Sequence, residues 1–378
     1  MPRRRLRPAL RSIGVALAGG GPFGAVYEIG ALLALEDAVA GLELNRLGCY
    51  VGVSAGSFLA AALANGIPIR EIHRVLIAGG EGDIALAPHR FRRPAWREYL
   101  HATLGRRLPT GLFDNEAIHD YLRGILERSG RTNDFRRLAR RLYIVATDLD
   151  TGQTVSFGRP GHDRVPISRA VQASAALPGL FPPVEIDGHH FVDGALRKTL
   201  HASEALDEGM RLVLCVNPIV PFDRRREVSG APLAKGGLRV VLSQTLRTLI
   251  HSRLATGIAG YRTRYPGADV VLFEPEPGDR EIFSANLLGY AARRRICERA
   301  YASTLRDLLR RRFELEAILA RHGLRLRPEV LRSVHRVAAR PGSHGAAAAA
   351  LRASFARLGG SLADLRALLE RKERGQAA

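Results

Sequence analysis

The chain has 378 residues, enough for one large domain or two ordinary ones around a substantial core, which excludes a disulfide-stapled miniprotein. Basic residues outnumber acidic ones, 57 to 37, for a formal net charge of +20, and nearly all the bases are arginine. This excess bears on partners, not on fold: it suits an anionic surface, whether phospholipid headgroups or nucleic acid phosphates, and it also follows from a GC-rich genome.

Residues 1–12 read as a flexible basic leader, because the apolar stretch behind them, residues 13–18, is too short for a signal peptide and runs straight into glycines. That stretch is instead a first core strand. The glycines break it, and Val26, Ile29 and Leu33 then recur at helical spacing, giving strand, tight turn and helix. The same grammar repeats at residues 49–53, followed by a turn at Ser54 and an Ala-rich helix from Ser57 that Asn65-Gly66 ends before Pro68. That helix is apolar almost all round, which predicts burial.

An Arg-rich region follows from Gly79 to Leu142. It contains helical pieces, one of which Asp114 can cap ahead of Ile118, Tyr121 and Leu122, and it reads either as part of an active-site rim or as a solvated layer over the sheet. Residues 142–146 form a further strand. Residues 184–186 and 191–192 read as a hairpin turned by Asp187-Gly188, whose second arm delivers Asp193. Strands at 212–216 and 270–273 continue the sheet, helical signal dominates residues 286–319, and after Pro341 an Ala- and Arg-rich stretch has amphipathic spacing through Leu351, Phe355, Leu358, Leu362 and Leu365. Short apolar runs alternating with helices predict an α/β fold with a mainly parallel sheet.

Three cysteines, Cys49, Cys215 and Cys297, lie far apart and form neither a disulfide framework nor a metal pair. No run approaches the roughly 18 apolar residues of a membrane span. A soluble or peripheral protein of the cytoplasm is expected.

Gly52-Val53-Ser54-Ala55-Gly56 is a GxSxG sequence placed after an apolar strand and before a helix, the context in which this motif presents a nucleophilic serine on a sharp turn. The alternative is that Ser54 merely caps the helix. Backbone amides at Gly19-Gly20-Gly21-Pro22-Phe23-Gly24 can supply an oxyanion hole. The same stretch satisfies GxGxxG, the dinucleotide fingerprint, although no strand ending in an acidic residue follows about 20 positions on, with Glu43 nearest, and the reading leaves GxSxG unexplained. His201 and His251 lie beyond Asp193 without a context that marks either as a base, and His189 and His190 read as exposed hairpin residues. No His pair has metal spacing. Asp193-Gly194-Ala195 is the remaining partner for the serine, either as a base or as an ordinary Asp-Gly turn. No helix-turn-helix, RNP-like strand or zinc module supports nucleic-acid binding.

Glycine loop, GxSxG about thirty residues later and DGA far downstream, in this order, resemble the patatin-like phospholipases. Ala146-Thr147-Asp148-Leu149 with Thr151-Gly152, and Ala173-Ser174-Ala175-Ala176-Leu177-Pro178 with Phe181-Pro182, resemble further family segments, so that the likeness covers residues 13–205. The resemblance implies a three-layer α/β/α catalytic domain at 13–205; the later strands and helical signal read as its continuation over 206–320, and the Ala- and Arg-rich stretch as a helical tail at 321–378. It implies hydrolysis of phospholipid or related acyl esters without cofactor or metal, with Ser54 as nucleophile, Asp193 as base, Gly52 and Gly56 shaping the elbow, and amides around Gly19, Gly20, Gly21 and Gly24 as oxyanion donors. Contact with an anionic membrane surface accords with the charge. Phe23 stands where many members carry a basic residue, which bears on loop shape and headgroup preference, and Ala195 in place of glycine is a variation the family shows. The rival expectations are a dinucleotide-binding protein and a patatin-like binding module without activity.

Overall fold

A computed structural model of the chain describes residues 8–79, 110–223, 225, 232–277 and 290–332. Strands β1 (Ile13–Leu17), β3 (Cys49–Val53), β4 (Arg141–Asp148), β8 (Leu212–Val216) and β9 (Asp269–Phe273) lie parallel in the order β4-β3-β1-β8-β9. Their nearly unbroken apolar sequences follow from burial on both faces: β1, β3 and β8 are buried at every position. A hairpin of β6 (Val184–Ile186) and β7 (His189–Asp193) adds antiparallel to β4, and β5 (Thr154–Phe157), a strand the sequence did not announce, pairs with β4 as well. The hairpin turn is the expected Asp187-Gly188, with φ of 52° and 80°, the doubly left-handed geometry that suits the twist of the flanking strands.

Helices cover both faces. On one side α1 (Gly21–Ala38) and α2 (Ala55–Ala64) pack on the sheet, and α8 (Tyr290–Arg310) lies against α1. On the other, α6 (Ala202–Asp207) and α7 (Gly237–Arg264) cover the face formed by Ala16, Val51, Val145 and Val213, with Leu254 and Tyr261 of α7 buried in that core. The expected three-layer α/β/α architecture with its mainly parallel sheet is thus present, with a helical region following the last strand. The remaining helices are α3 (Ile69–Leu76), α4 (Glu116–Leu126), α5 (Ile167–Ser174), α9 (Arg312–Arg321) and α10 (Pro328–Arg332). In α4 the cap position falls on Asn115, and Asp114 reaches the first turn from one residue earlier, accepting from the Glu116 amide at 2.8 Å.

Residues 321–331, grouped with the tail on sequence, complete α9, pair β10 (Arg325–Leu326) with β2 (Val39–Ala40) and enter α10. The first compact unit of the chain accordingly ends at Leu331. Both the amphipathic stretch after Pro341 and most of the Arg-rich region before Thr110 lie outside the described residues. Among the described residues, no helix is long and apolar enough to cross a membrane.

Candidate active site

All five parallel strands point their C-terminal ends to one edge of the sheet, and the conspicuous sequence motifs meet there. β3 delivers Ser54 at the entry to α2. Its backbone has φ 50° and ψ −123°, a conformation that a residue with a Cβ adopts only when the surroundings impose it. Those surroundings are tight contacts: a Cβ on Gly52 would sit 2.5 Å from the Ser57 Cα, and one on Gly56 would sit 2.5 Å from the Ala18 carbonyl oxygen. The turn is also bonded from three sides. Ser57 donates its amide to the Ser54 carbonyl at 3.0 Å, Gly56 donates to Ala18 at 3.2 Å, and the Ser54 amide donates to the Ser174 hydroxyl at 2.8 Å.

Asp193 ends β7, directly opposite Ala146 in the register of β4. Its amide donates to the Ala176 carbonyl at 3.0 Å, and Thr147 donates its hydroxyl to the Asp193 carbonyl at 3.3 Å. Its Oδ1 accepts the Ala195 amide at 2.9 Å. The carboxylate is 3% exposed, and removal from water pushes its pKa up to about 6, opposed by hydrogen bonds from the Ser54 hydroxyl and the Ala195 amide. Serine and aspartate are therefore within hydrogen-bonding reach.

The glycine loop closes over the same point. A Cβ on Gly19 would lie 3.0 Å from the Ser54 Cβ and 3.6 Å from its Oγ, so the loop backbone passes beside the hydroxyl. Gly20 and Gly21 hold φ of 142° and 62°, open to glycine and strained for other residues. Among the described residues the amides of Gly19, Gly20 and Gly21 have no protein acceptor, whereas Gly24, grouped with them on sequence, donates its amide to the Gly20 carbonyl at 2.9 Å. Gly24 instead permits close approach, since a Cβ there would meet Pro218 at 3.0 Å and the Gly19 carbonyl oxygen at 3.1 Å. Phe23 is half-buried in the first turn of α1.

Two supporting groups lie in segments the sequence marked as family-like without giving either residue a role. Ser174, at the end of α5, accepts from Ser54 and donates to the Val145 carbonyl at 2.6 Å. Asp148 is buried at the end of β4, where its Oδ1 accepts the amides of Asp150 and Thr151 at 3.0 Å each and its Oδ2 meets His189 Nδ1 at 3.1 Å. Those backbone bonds, the Thr151 amide foremost, hold its pKa below the usual value. A buried aspartate next to a Thr-Gly turn was the available signal.

The histidines fall elsewhere. His201 is buried against the backbone of Gly194 and Lys198, and burial lowers its pKa to about 3, so that it stays neutral. His251 pairs with Glu274 at 3.5 Å, and His189 and His190 are exposed on the hairpin. No group of three His, Cys, Asp or Glu suited to a metal occurs among the described residues. Two surface clefts of about 530 and 540 Å3, one by Arg164 and Asp187 and the other by His251, Glu274 and Asp307, contain neither Ser54, Asp193 nor the glycine loop. Neither strand beside β1, Cys49–Val53 or Leu212–Val216, carries a carboxylate for a ribose, which removes the support the dinucleotide reading needed.

The chain shares 30% identity over 216 residues with an uncharacterised NTE family protein of Mycobacterium tuberculosis, covering 56% of this chain and 31% of that protein. Lysophospholipase nte1 of Aspergillus niger is 27% identical over 228 residues, covering 59% of this chain and 13% of the relative. The chain thus spans less than a third of the length of either relative. Among solved structures, VipD from Legionella pneumophila aligns over 78% of this chain and 66% of its own at 15% identity, with a TM-score of 0.39. The family model for patatin-like phospholipase matches residues 15–206, an interval that takes in the glycine loop, the serine elbow and the aspartate turn. By that match, over half its length, the chain belongs to the patatin-like phospholipase family.

Proposed function

We propose that the protein is a serine acyl hydrolase that cleaves acyl esters of phospholipids or related lipids with a Ser54–Asp193 dyad. The observation that carries this reading is a buried carboxylate within reach of a serine hydroxyl held on a strained strand-to-helix turn, beside glycine amides that have no acceptor among the described residues.

In the proposed reaction Asp193 takes the Ser54 proton as Oγ attacks the ester carbonyl, and the carbonyl oxygen becomes an oxyanion facing the amides of Gly19, Gly20 and Gly21. Collapse of the tetrahedral adduct expels the alcohol, which recovers the proton from Asp193 and leaves an acyl-Ser54 ester. Asp193 then takes a proton from water, whose oxygen attacks the acyl carbon. Breakdown releases the fatty acid and returns the proton to Ser54. A base with a pKa near 6 is suited to both steps, since it is ionised at neutral pH yet more basic than a solvated aspartate.

The test is labelling with a fluorophosphonate probe, with fatty-acid release from mixed phospholipid vesicles measured in parallel. Labelling lost in Ser54→Ala and turnover lost in both Ser54→Ala and Asp193→Asn are expected. Labelling that survives Ser54→Ala, or an unlabelled wild type, removes the reading and leaves a binding module on the patatin-like fold.

A further inference from the structure

Helix α7 shows opposite characters on its two sides. Its inner side is anchored to the protein: Gln244 bonds both backbone groups of Phe222 at 3.0 and 2.9 Å, Arg247 donates to the Val220 carbonyl at 3.3 Å, and Leu254 is buried. Its outer side, over the first three to four turns, is a stripe of Leu238, Val241, Leu242, Leu246 and Leu249 at helical spacing. These side chains are exposed, Leu238 by 74% and the other three leucines by 50 to 52%. A soluble surface seldom carries so continuous an apolar run without an occupant.

The stripe has a definite position. Val220 and Phe222 lie just past the C-terminal end of β8, and Arg253 of α7 donates to the carbonyl of Leu196, three residues after Asp193, at 2.9 Å. At its other end the helix reaches the opposite edge of the sheet, where Tyr265 bonds Asp207 at 2.5 Å. The apolar turns therefore overhang the edge that carries Ser54 and Asp193. Exposed Leu149, Leu177 and Leu196 belong to the same edge, following Asp148, Ala176 and Ala195 in the segments that hold the aspartate.

Charge indicates the occupant. The 28 residues of α7 contain five arginines and no acidic residue, and no Asp or Glu occurs between Glu227 and Asp269. Exposed Lys235 precedes the stripe and exposed Arg253 follows it. An apolar helical stripe between cations, without carboxylates, matches an anionic phospholipid surface: the leucines enter the acyl boundary and the cations meet phosphates.

We infer that the α7 stripe is the surface by which the protein docks on anionic bilayers, setting the Ser54 edge against the lipid. The inference rests on the acyl-hydrolase reading for its purpose but not for its measurement. Full-length wild type, the double variant Leu242→Glu/Leu246→Glu, and Phe313→Glu, an exposed apolar residue on α9, are sedimented with phosphatidylcholine vesicles with and without phosphatidylglycerol. Turnover of a soluble short-chain ester and solution mass are read alongside. The double variant should lose at least about tenfold in partition to anionic vesicles and keep soluble-ester turnover within about twofold, while Phe313→Glu behaves as wild type and added salt weakens wild-type binding.

Unchanged partition of the double variant overturns the inference. A dimeric wild type that becomes monomeric in the double variant, with partition retained, overturns it in favour of a second copy as occupant. New protease sensitivity of residues 332–378 in that variant, with partition retained, does so in favour of the chain's own tail. If wild type turns over no ester and takes no probe, the hydrolase reading fails, and the vesicle result still judges the surface independently.

Discussion

The Ser54 amide and the Ser174 hydroxyl, 120 positions apart, share a 2.8 Å hydrogen bond, and Ser174 in turn donates its hydroxyl to the Val145 carbonyl at 2.6 Å. The relay joins the serine elbow, the end of α5 and the neighbouring strand β4, fixing an amide that the left-handed Ser54 backbone turns away from the sheet ladder. Ser174 is fully buried, so no water replaces its hydroxyl when it is lost.

Ser174→Ala leaves a buried donor and a carbonyl short of partners, which should cost about 1–3 kcal/mol of stability. Because the released amide belongs to the proposed nucleophile, kcat on a soluble ester should fall roughly tenfold to a hundredfold with KM little altered. Steady-state kinetics with a denaturant melt separates these effects. A stability loss with kcat unchanged would make the relay purely structural.

As the proposed base, Asp193 places function and stability in opposition. Its folded pKa of about 6 lies above the ordinary 3.8, so the folded state favours the protonated carboxyl. The stabilisation from that proton is complete below about pH 4 and is lost as pH rises through about 6, a change of roughly 3 kcal/mol from the shift. In the proposed mechanism ester turnover needs the ionised form and should rise over the same interval, with an apparent pKa near 6. Asp193→Asn should abolish turnover, raise stability at neutral pH by up to about 3 kcal/mol, and flatten stability against pH between about 4 and 6. Melts of both proteins across this range check it. A less stable Asn variant at pH 7 would show that ionised Asp193 supports the fold.

Much of this site was legible because its signals are local. Ser54 follows five consecutive buried residues, and the Asp-Gly hairpin fixes where Asp193 emerges. What escaped depends on distant partners. Ser174 sits in an Ala-rich stretch whose local pattern says helix end, and its acceptor and donor come from β4 and the elbow. Helix α7 escaped for a different reason: leucines of its outer stripe and apolar residues of its inner face interleave, so no single periodic face stands out, and Gly257 and Gly260 interrupt what remains. The assignment of Gly24 as an oxyanion donor failed because GxGxxG does not show where helical bonding begins; in the fold its amide is already committed to Gly20.

The three cysteines make a kinetic prediction. All are buried, and burial pushes their thiols up, Cys297 to about 12 and Cys49 and Cys215 higher. Thiolate is the reactive form, so native protein should resist thiol reagents at pH 8, and labelling should follow unfolding. Dithionitrobenzoate titration with and without denaturant checks this. A thiol that reacts promptly in native protein would require a local opening at its strand or helix.

The elbow glycines distinguish steric contact from backbone strain. At Gly56 a methyl would meet the Ala18 carbonyl oxygen at 2.5 Å and the Leu17 backbone at 2.7 Å, atoms of the central strand that cannot give way without moving the glycine loop. At Gly66, which ends α2, φ is 81° but an added Cβ meets nothing within 4 Å. Gly66→Ala should therefore cost only the left-handed strain, about 1 kcal/mol, with ester turnover unchanged. Gly56→Ala should cost about 3 kcal/mol or more and lower kcat as well, since relief of the clash displaces Ser54 from the loop amides. Melting and kinetics of the two variants side by side decide the point: equal losses would mean that the contact at Gly56, whose own φ is not left-handed, relaxes at little cost.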